Sequence, residues 1–171
     1  MKDTKYFRKR LWETELQRVN RALRVVNKTN KSLNQVDDVV TWLNQVCQSA
    51  IGLGDYRMAC VGIAEEDEHK RVRMVASAGF EGGYLDATTM TWADEPHGRG
   101  PAGIAIRTGR TCIARNIPDD PAFEPWRDEI TQLAYQSSIA VPLTSEGRTF
   151  GMVGLYADVV DAFGPKEVEV P

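Results

Sequence analysis

The last third of the chain holds two apolar segments of strand length, residues 137–143 and 149–156, with a short polar connector between them. The connector contains Glu146 and Gly147, and a few polar residues with a glycine between two apolar segments are typical of a β-hairpin. The pattern therefore predicts that the two segments are antiparallel neighbours in a sheet.

Hydrophobic spacing predicts further elements upstream. They are, in chain order, a helix from Asp37 or Asp38 to Ile51, strands at 57–64 and 72–78, a short helix at 101–107, a strand at 111–114 and a helix at 124–133. Residues 79–98 carry large apolar side chains among glycines and polar residues, which is typical of a lid or binding loop. Helices mixed with antiparallel strands favour an α+β fold over a parallel nucleotide-binding sheet.

The N-terminal residues show a heptad pattern of apolar positions on a polar background. Three heptads with so narrow a stripe favour a coiled coil between two helices, and a helix packed on its own domain is the alternative. We therefore expect a homodimer through this helix. Its dimer positions are Trp12, Leu16, Val19, Leu23, Val26, Asn30 and Leu33.

Composition narrows the function classes. The 171 residues are 42% hydrophobic and 26% charged with a net charge of −3, whereas proteins that bind nucleic acid usually carry a basic surplus. No signal-peptide core and no apolar run of about 18 residues is present, so we expect a cytoplasmic protein without membrane contact. The odd set of cysteines, Cys47, Cys60 and Cys112, argues against a disulfide framework.

Five short motifs follow one another in the C-terminal half. They are Gly100-Pro-Ala-Gly-Ile-Ala-Ile-Arg-Thr-Gly-Arg-Thr111, Asn116-Ile-Pro-Asp-Asp-Pro-Ala-Phe123, Ser137-Ser-Ile-Ala-Val-Pro-Leu143, Gly151-Met-Val-Gly-Leu-Tyr156 and Asp161-Ala-Phe-Gly164. Together they resemble the GAF domain family over about residues 34–171. The resemblance implies a central antiparallel sheet of five or six strands, flanked by helices, with a ligand pocket in front. The expected organisation is a signalling helix at 1–35 and a GAF-like sensor domain at 36–171 whose C-terminal helix is truncated.

The resemblance also implies a function. We expect a regulatory sensor of a bacterial signal-transduction protein, such as a histidine kinase or a diguanylate cyclase, whose pocket occupancy is coupled to a dimeric output domain through coiled-coil helices. The alternatives are a ligand-free dimerisation or spacer module and a redox enzyme of the same fold, such as a free methionine sulfoxide reductase. No redox set of cysteines lies between Cys60 and Cys112, so we expect this fragment not to be an enzyme. The cofactor is left unspecified, because the Asn-Lys-x-Asp/Glu signature of cyclic-nucleotide binders and the Cys-His dipeptide of bilin binders are absent.

Candidate pocket residues come from the predicted strand faces and the loop. They are Cys60, Met74, Trp92, Arg99, Ile104, Tyr135 and Ser138. The predicted helix N-terminus at Pro101 offers N–H groups to an anionic ligand, with Arg99 or Arg107 assisting. Gly98-Arg-Gly-Pro-Ala-Gly103 matches GxGxxG, but no predicted strand precedes it, so a dinucleotide site is not expected. Neither histidine has a second ligand at metal spacing, and no metal site is predicted.

Overall fold

The structure, a computed structural model, describes residues 39–79 and 90–164. Its helices and strands are α1 Val39–Gly54, β1 Met58–Ala64, β2 Val72–Gly79, α2 Pro101–Thr108, β3 Cys112–Ala114, α3 Arg127–Leu133, β4 Ser137–Ser145 and β5 Arg148–Ala157. Short 3-10 segments at Pro96–Gly98, Ile117–Asp119 and Pro121–Trp126 lie in the connections. The predicted dimer helix, residues 80–89 of the predicted loop, and residues 165–171 lie outside the described residues.

The described strands form one sheet in the order β2-β1-β5-β4-β3, and every neighbouring pair is antiparallel. β4 and β5 form the predicted hairpin, but both strands continue farther than expected and leave only Glu146 and Gly147 in the turn. These two residues have φ values of 51° and 78°, as in the type I′ turn that matches the twist of a two-residue hairpin. The predicted α+β class with a central antiparallel sheet is confirmed.

The sheet buries apolar side chains on both faces. On the back face, α1 packs on β1 and β2. The front core lies on the opposite face and combines Met58, Cys60, Met152 and Tyr156 of the strands with Ile106, Phe123, Trp126, Leu133 and Tyr135 of the segments that cover them. The front face is where the family resemblance places a ligand pocket.

A row of small residues crosses the front face. In register, Cys60 lies beside Gly154, Gly154 beside Ala140, and Ala140 beside Cys112. A Cβ on Gly154 would come within 2.9 Å of the Cys60 Sγ, so a larger side chain has no room there. Since α2 packs on β4 and β5, this lack of bulk lets the helix lie close to the sheet, and its central Ala105 is fully buried.

Two predicted helix boundaries are wrong. α1 continues through Gly52 to Gly54 instead of ending at Ile51. A single glycine destabilises a helix by only about 1 kcal/mol, so Gly52, which contacts nothing at its Cβ position, does not end it. The helix predicted from residue 124 begins at Arg127. The segment before it is a 3-10 helix containing Pro125, which has no N–H for an α-helical hydrogen bond.

Candidate functional site

The three glycines of the GxGxxG match allow close packing at the start of α2. A Cβ on Gly103 would overlap the carbonyl oxygen of Gly98, and a Cβ on Gly100 would come within 2.8 Å of the Trp126 ring. Residues 92–98 form bends and a 3-10 turn rather than a strand. The motif therefore has a packing role, and the βαβ unit that a dinucleotide site requires does not surround it.

Arg107 fastens the segment before α2 to the helix. Its Nη1 donates to three backbone carbonyl oxygens, those of Trp92 at 3.0 Å, Ala93 at 2.9 Å and Gly98 at 2.6 Å. Arg99 is exposed and pairs with Asp94 at 3.1 Å. Both arginines that the sequence suggested for an anion at Pro101 are thus engaged with protein oxygens.

A small cavity lies in the front core between the start of α2, the Pro121–Trp126 segment and β5. Its volume is about 20 Å³, which is room for about one water molecule. The side chains around it are those of Met90, Thr91, His97, Phe123, Trp126 and Tyr156, and residues 100–103 close one side. The described side chains around this cavity therefore leave little free volume inside it.

Two buried polar atoms on the front side lack a hydrogen-bond partner within the described residues, Nε1 of Trp126 and Oγ of Ser138. Trp126 is 5% exposed and lines the cavity, whereas Ser138 is 1% exposed and lies directly beside Tyr156 in the sheet. Buried polar groups are nearly always paired in native proteins. An unpaired indole N–H on a side chain that lines a cavity therefore makes this region a candidate place for a ligand atom or an ordered water.

A wider groove opens to solvent beside this cavity. It has a volume of about 530 Å³ and is lined by Pro96, His97, Arg99, Pro121, Ala122, Glu124 and Pro125. The exposed His97 lines both spaces, and its ring lies edge-on to the Trp126 ring with centroids 5.8 Å apart. His97 therefore forms part of the boundary between the groove and the cavity.

The predicted pocket residues lie at different depths. Fully buried on the front side are Cys60, Tyr135 and Ser138; half-buried are Met74, Trp92 and Ile104; and Arg99 is exposed in the groove. None of these seven is among the described walls of the 20 Å³ cavity. The structure thus brings most of them to the same side of the sheet but puts other side chains around the cavity.

Contacts within the protein engage two of the predicted aromatic residues. The Tyr135 hydroxyl donates to the Met58 Sδ at 3.4 Å, and its ring lies 4.8 Å from that of Tyr156. The indole N–H of Trp92 donates to the Glu65 carbonyl oxygen at 2.9 Å. This hydrogen bond attaches Trp92 to the residue that follows β1.

Sequence reasoning did not select the cavity walls Met90, Phe123 and Tyr156. Tyr156 alternates in phase with Met152 along β5, so its position on the front face was available from the strand period. Phe123 lies in a proline-rich 3-10 segment, which has no period from which a buried face can be inferred. Nothing in the sequence context of Trp126 indicates an unpaired indole N–H.

Cys60 and Cys112 are too far apart to form a disulfide, and the thiol pKa values of Cys47 and Cys112 are raised. Cys60 and Cys112 lie on one row of the sheet three strands apart, roughly 14 Å at strand spacing, which exceeds the reach of a disulfide. Burial raises the pKa of the Cys47 thiol to about 11. Burial, and secondarily the charge of Asp120, raises the pKa of Cys112. Within the described ranges, no cluster of His, Cys, Asp or Glu suits a metal ion.

Comparison with known sequences identifies the family. Residues 37–170 match the GAF domain family. The chain belongs to the GAF domain family. The resemblance drawn from the five motifs is confirmed, while a search among curated proteins finds no significant match. No helix in the described part of this GAF domain is long and apolar enough to cross a membrane.

Solved structures with the same fold are distant in sequence. A free methionine-R-sulfoxide reductase from Neisseria meningitidis, solved with its substrate, has a TM-score of 0.70 at 17% identity over 86% of this chain and 79% of that one. The A. aeolicus nlh2 GAF domain in an inactive state has a TM-score of 0.64 at 20% identity, over 90% of this chain and 85% of that one. The GAF domain of a phosphoenolpyruvate-protein phosphotransferase from Coxiella burnetii has a TM-score of 0.71 at 16% identity, over 87% of this chain and 84% of that one.

These structures correct one expectation. The prediction that this fragment is not an enzyme is wrong as drawn, because the same fold is found in a sulfoxide reductase. The fold is therefore compatible with catalysis as well as with regulation. At these identities the likeness shows the fold alone, so the choice between the two classes depends on the site.

Proposed function

We propose that this GAF domain is a regulatory small-molecule-binding domain of a cytoplasmic signal-transduction protein. Its ligand binds on the front side of the sheet, at the cavity beside Trp126. The observation that carries the proposal is the buried indole N–H of Trp126, which has no partner in the described structure and belongs to a side chain that lines the cavity. A binding site typically combines apolar walls with a few polar groups that fix the ligand's orientation.

The present cavity is too small for a metabolite, so binding requires the wall to move. A ligand that fits only the widened form shifts the population toward that form by its difference in affinity. The covering segments are then the switched elements, since Arg107 holds residues 92–98 and Arg127 holds residues 117–120 through their carbonyl oxygens. The N-terminal heptads would pass the change to a dimeric output domain. That the nlh2 GAF domain was solved in an inactive state is in line with switching in this fold.

One observation favours a second function. A 20 Å³ cavity is also what a ligand-free spacer and dimerisation module would show. The distinction is whether the wall opens for any small molecule.

The test is a binding experiment on the full chain. Native mass spectrometry searches for a co-purifying molecule, and a metabolite library is screened by thermal shift against wild type and a Trp126→Phe variant, which keeps an aromatic ring but removes the N–H. We expect a ligand that stabilises wild type more than the variant. If no molecule binds, the hypothesis of a ligand-free spacer module replaces that of a sensor.

The same preparation is assayed for enzyme activity. Because a free methionine-R-sulfoxide reductase shares the fold, thiol-dependent reduction of methionine-R-sulfoxide is measured for wild type and for Cys60→Ser and Cys112→Ser variants. Turnover that is lost in either variant would make the domain a reductase and would overturn the regulatory proposal.

A further inference from the structure

We propose that the ligand of this site is a small, uncharged, planar ring with one hydrogen-bond acceptor. The indole N–H of Trp126 donates to that acceptor, and His97 is the side chain that the ligand displaces on entry. The inference rests on the proposed function and adds the chemical class of the ligand and its route.

The walls favour a planar ring. Phe123, Trp126, Tyr156 and His97 contribute aromatic surfaces to one cavity. The rings of His97 and Phe123 already contact Trp126 edge-on, at centroid distances of 5.8 and 6.2 Å. Aromatic pairs prefer such edge-to-face or offset arrangements, and a ligand ring that replaces His97 against Trp126 would find the same surface.

The polar groups favour a single acceptor. Thr91 Oγ1 lies within hydrogen-bond distance of the His69 and Lys70 carbonyl oxygens, at 2.8 and 2.9 Å, and accepts from the Ala93 N–H. Among the side chains that line the cavity in the described structure, the buried polar atom without a partner is Trp126 Nε1. An indole nitrogen donates and does not accept, so its ligand partner is an acceptor such as a carbonyl oxygen or an unprotonated ring nitrogen.

The charges disfavour an anion. Arg107 donates to three carbonyl oxygens, and Arg99 pairs with Asp94. Arg127 donates to the carbonyl oxygens of Ile117 and Asp120. A phosphate or carboxylate that bound one of these guanidinium groups would replace that group's present partners. An uncharged ligand requires no such exchange.

The α2 side of the cavity and the His97 side differ in how much room they have to move. On the α2 side, Gly103 lies against the Gly98 carbonyl and Gly100 against the Trp126 ring, with no space left for a single Cβ. His97 is exposed and lines both the cavity and the groove of about 530 Å³. Rotation of His97 toward solvent joins the two spaces and leaves the packed side in place, so the groove is the route of entry.

Three probe molecules separate the parts of this proposal. Acetophenone has a planar ring and a carbonyl, α-methylstyrene has the same shape with a methylene in place of the carbonyl oxygen, and cyclohexyl methyl ketone keeps the carbonyl on a puckered ring. Each is titrated into 15N-labelled full-length protein, and the indole N–H resonances are followed by NMR, with Trp126→Phe assigning the Trp126 signal. We expect acetophenone to bind at least tenfold more tightly than either analogue and to shift the Trp126 signal downfield.

Position 97 tests the route. His97→Ala should bind acetophenone at least threefold more tightly, because the displaced ring is gone, while His97→Phe, which keeps the ring, should not. Equal affinities for acetophenone and α-methylstyrene, unchanged binding to Trp126→Phe, or absence of acetophenone binding even to His97→Ala would overturn the inference. The proposed function fails separately: it would survive if the metabolite screen found a charged or non-planar ligand at this site, and would fall if no ligand were found or if the cysteine-dependent reductase activity were measured.

Discussion

Gly100 lies directly against the indole ring of Trp126, and a Cβ at position 100 would come within 2.8 Å of the ring atom Cζ3. The contact joins the start of α2 to the wall of the cavity through a residue that has no side chain. The depth at which the Trp126 ring is buried therefore depends on position 100 remaining glycine.

Gly100→Ala should push this ring out of position. We expect the free energy of unfolding to fall by about 1–3 kcal/mol, as for other insertions into a packed core, and the tryptophan fluorescence to change. Gly52→Ala is the matched control, because a Cβ there meets nothing within 4 Å and alanine should stabilise the exposed helical position by about 0.4–1 kcal/mol. Urea denaturation measures both, and a Gly100→Ala protein as stable as wild type would contradict the packing.

Arg107→Met should loosen the segment before α2. The change removes three hydrogen bonds from a charged donor and leaves the carbonyl of the buried Gly98 unpaired, so we expect a loss of about 2–4 kcal/mol. Arg110→Met, at an exposed position just beyond the same helix, should change stability by less than about 0.5 kcal/mol. A loss below about 1 kcal/mol at Arg107 would contradict the stabilising role of its three hydrogen bonds.

The sheet could be predicted because its signals are local. The hairpin is encoded by two apolar segments and the Glu146-Gly147 turn, and α2 by Pro101 at its start and Gly109 in the left-handed conformation at its end. These patterns operate within a few residues. These local patterns therefore predict the elements without knowledge of the tertiary structure.

The cavity could not be predicted in the same way. Its walls are brought together from the segment before α2, a proline-rich connection and β5, and Phe123 and Trp126 lie in a 3-10 segment without a hydrophobic period. Whether Trp126 or Trp92 is left without a hydrogen-bond partner depends on which carbonyl oxygen each indole meets after folding. Residue type alone cannot distinguish them.

Cys47 should make stability depend on pH in the alkaline range. Burial raises the pKa of its thiol from 9.0 to about 11 in the folded protein, so between these values only the unfolded state releases the proton and unfolding is favoured as pH rises. From pH 8 to pH 10 wild type should lose about 1 kcal/mol relative to Cys47→Ala. Parallel stability curves for the two proteins in urea would contradict the raised pKa.

The heptad positions predict that the full chain is a homodimer. Replacing Leu16 and Leu23 by glutamine places polar groups in the expected seam and should give a monomer of 19.1 kDa. Thr14→Gln with Arg21→Gln, outside the seam, should leave the dimer intact. Light scattering at micromolar concentration measures the mass, and a monomeric wild-type chain would refute the prediction.

Two neighbouring serines should respond oppositely to loss of the hydroxyl. Ser137 Oγ donates to the Val159 carbonyl oxygen at 2.7 Å and accepts from the Ala162 N–H at 3.3 Å, so Ser137→Ala should cost about 1–3 kcal/mol. Ser138 is equally buried, but its Oγ has no partner in the described structure. Ser138→Ala removes an unpaired polar group and should be neutral or stabilising by about 1 kcal/mol. If Ser138→Ala instead cost as much as Ser137→Ala in urea denaturation, its hydroxyl must have a partner, and a bound water or ligand on the front face would then have to supply it.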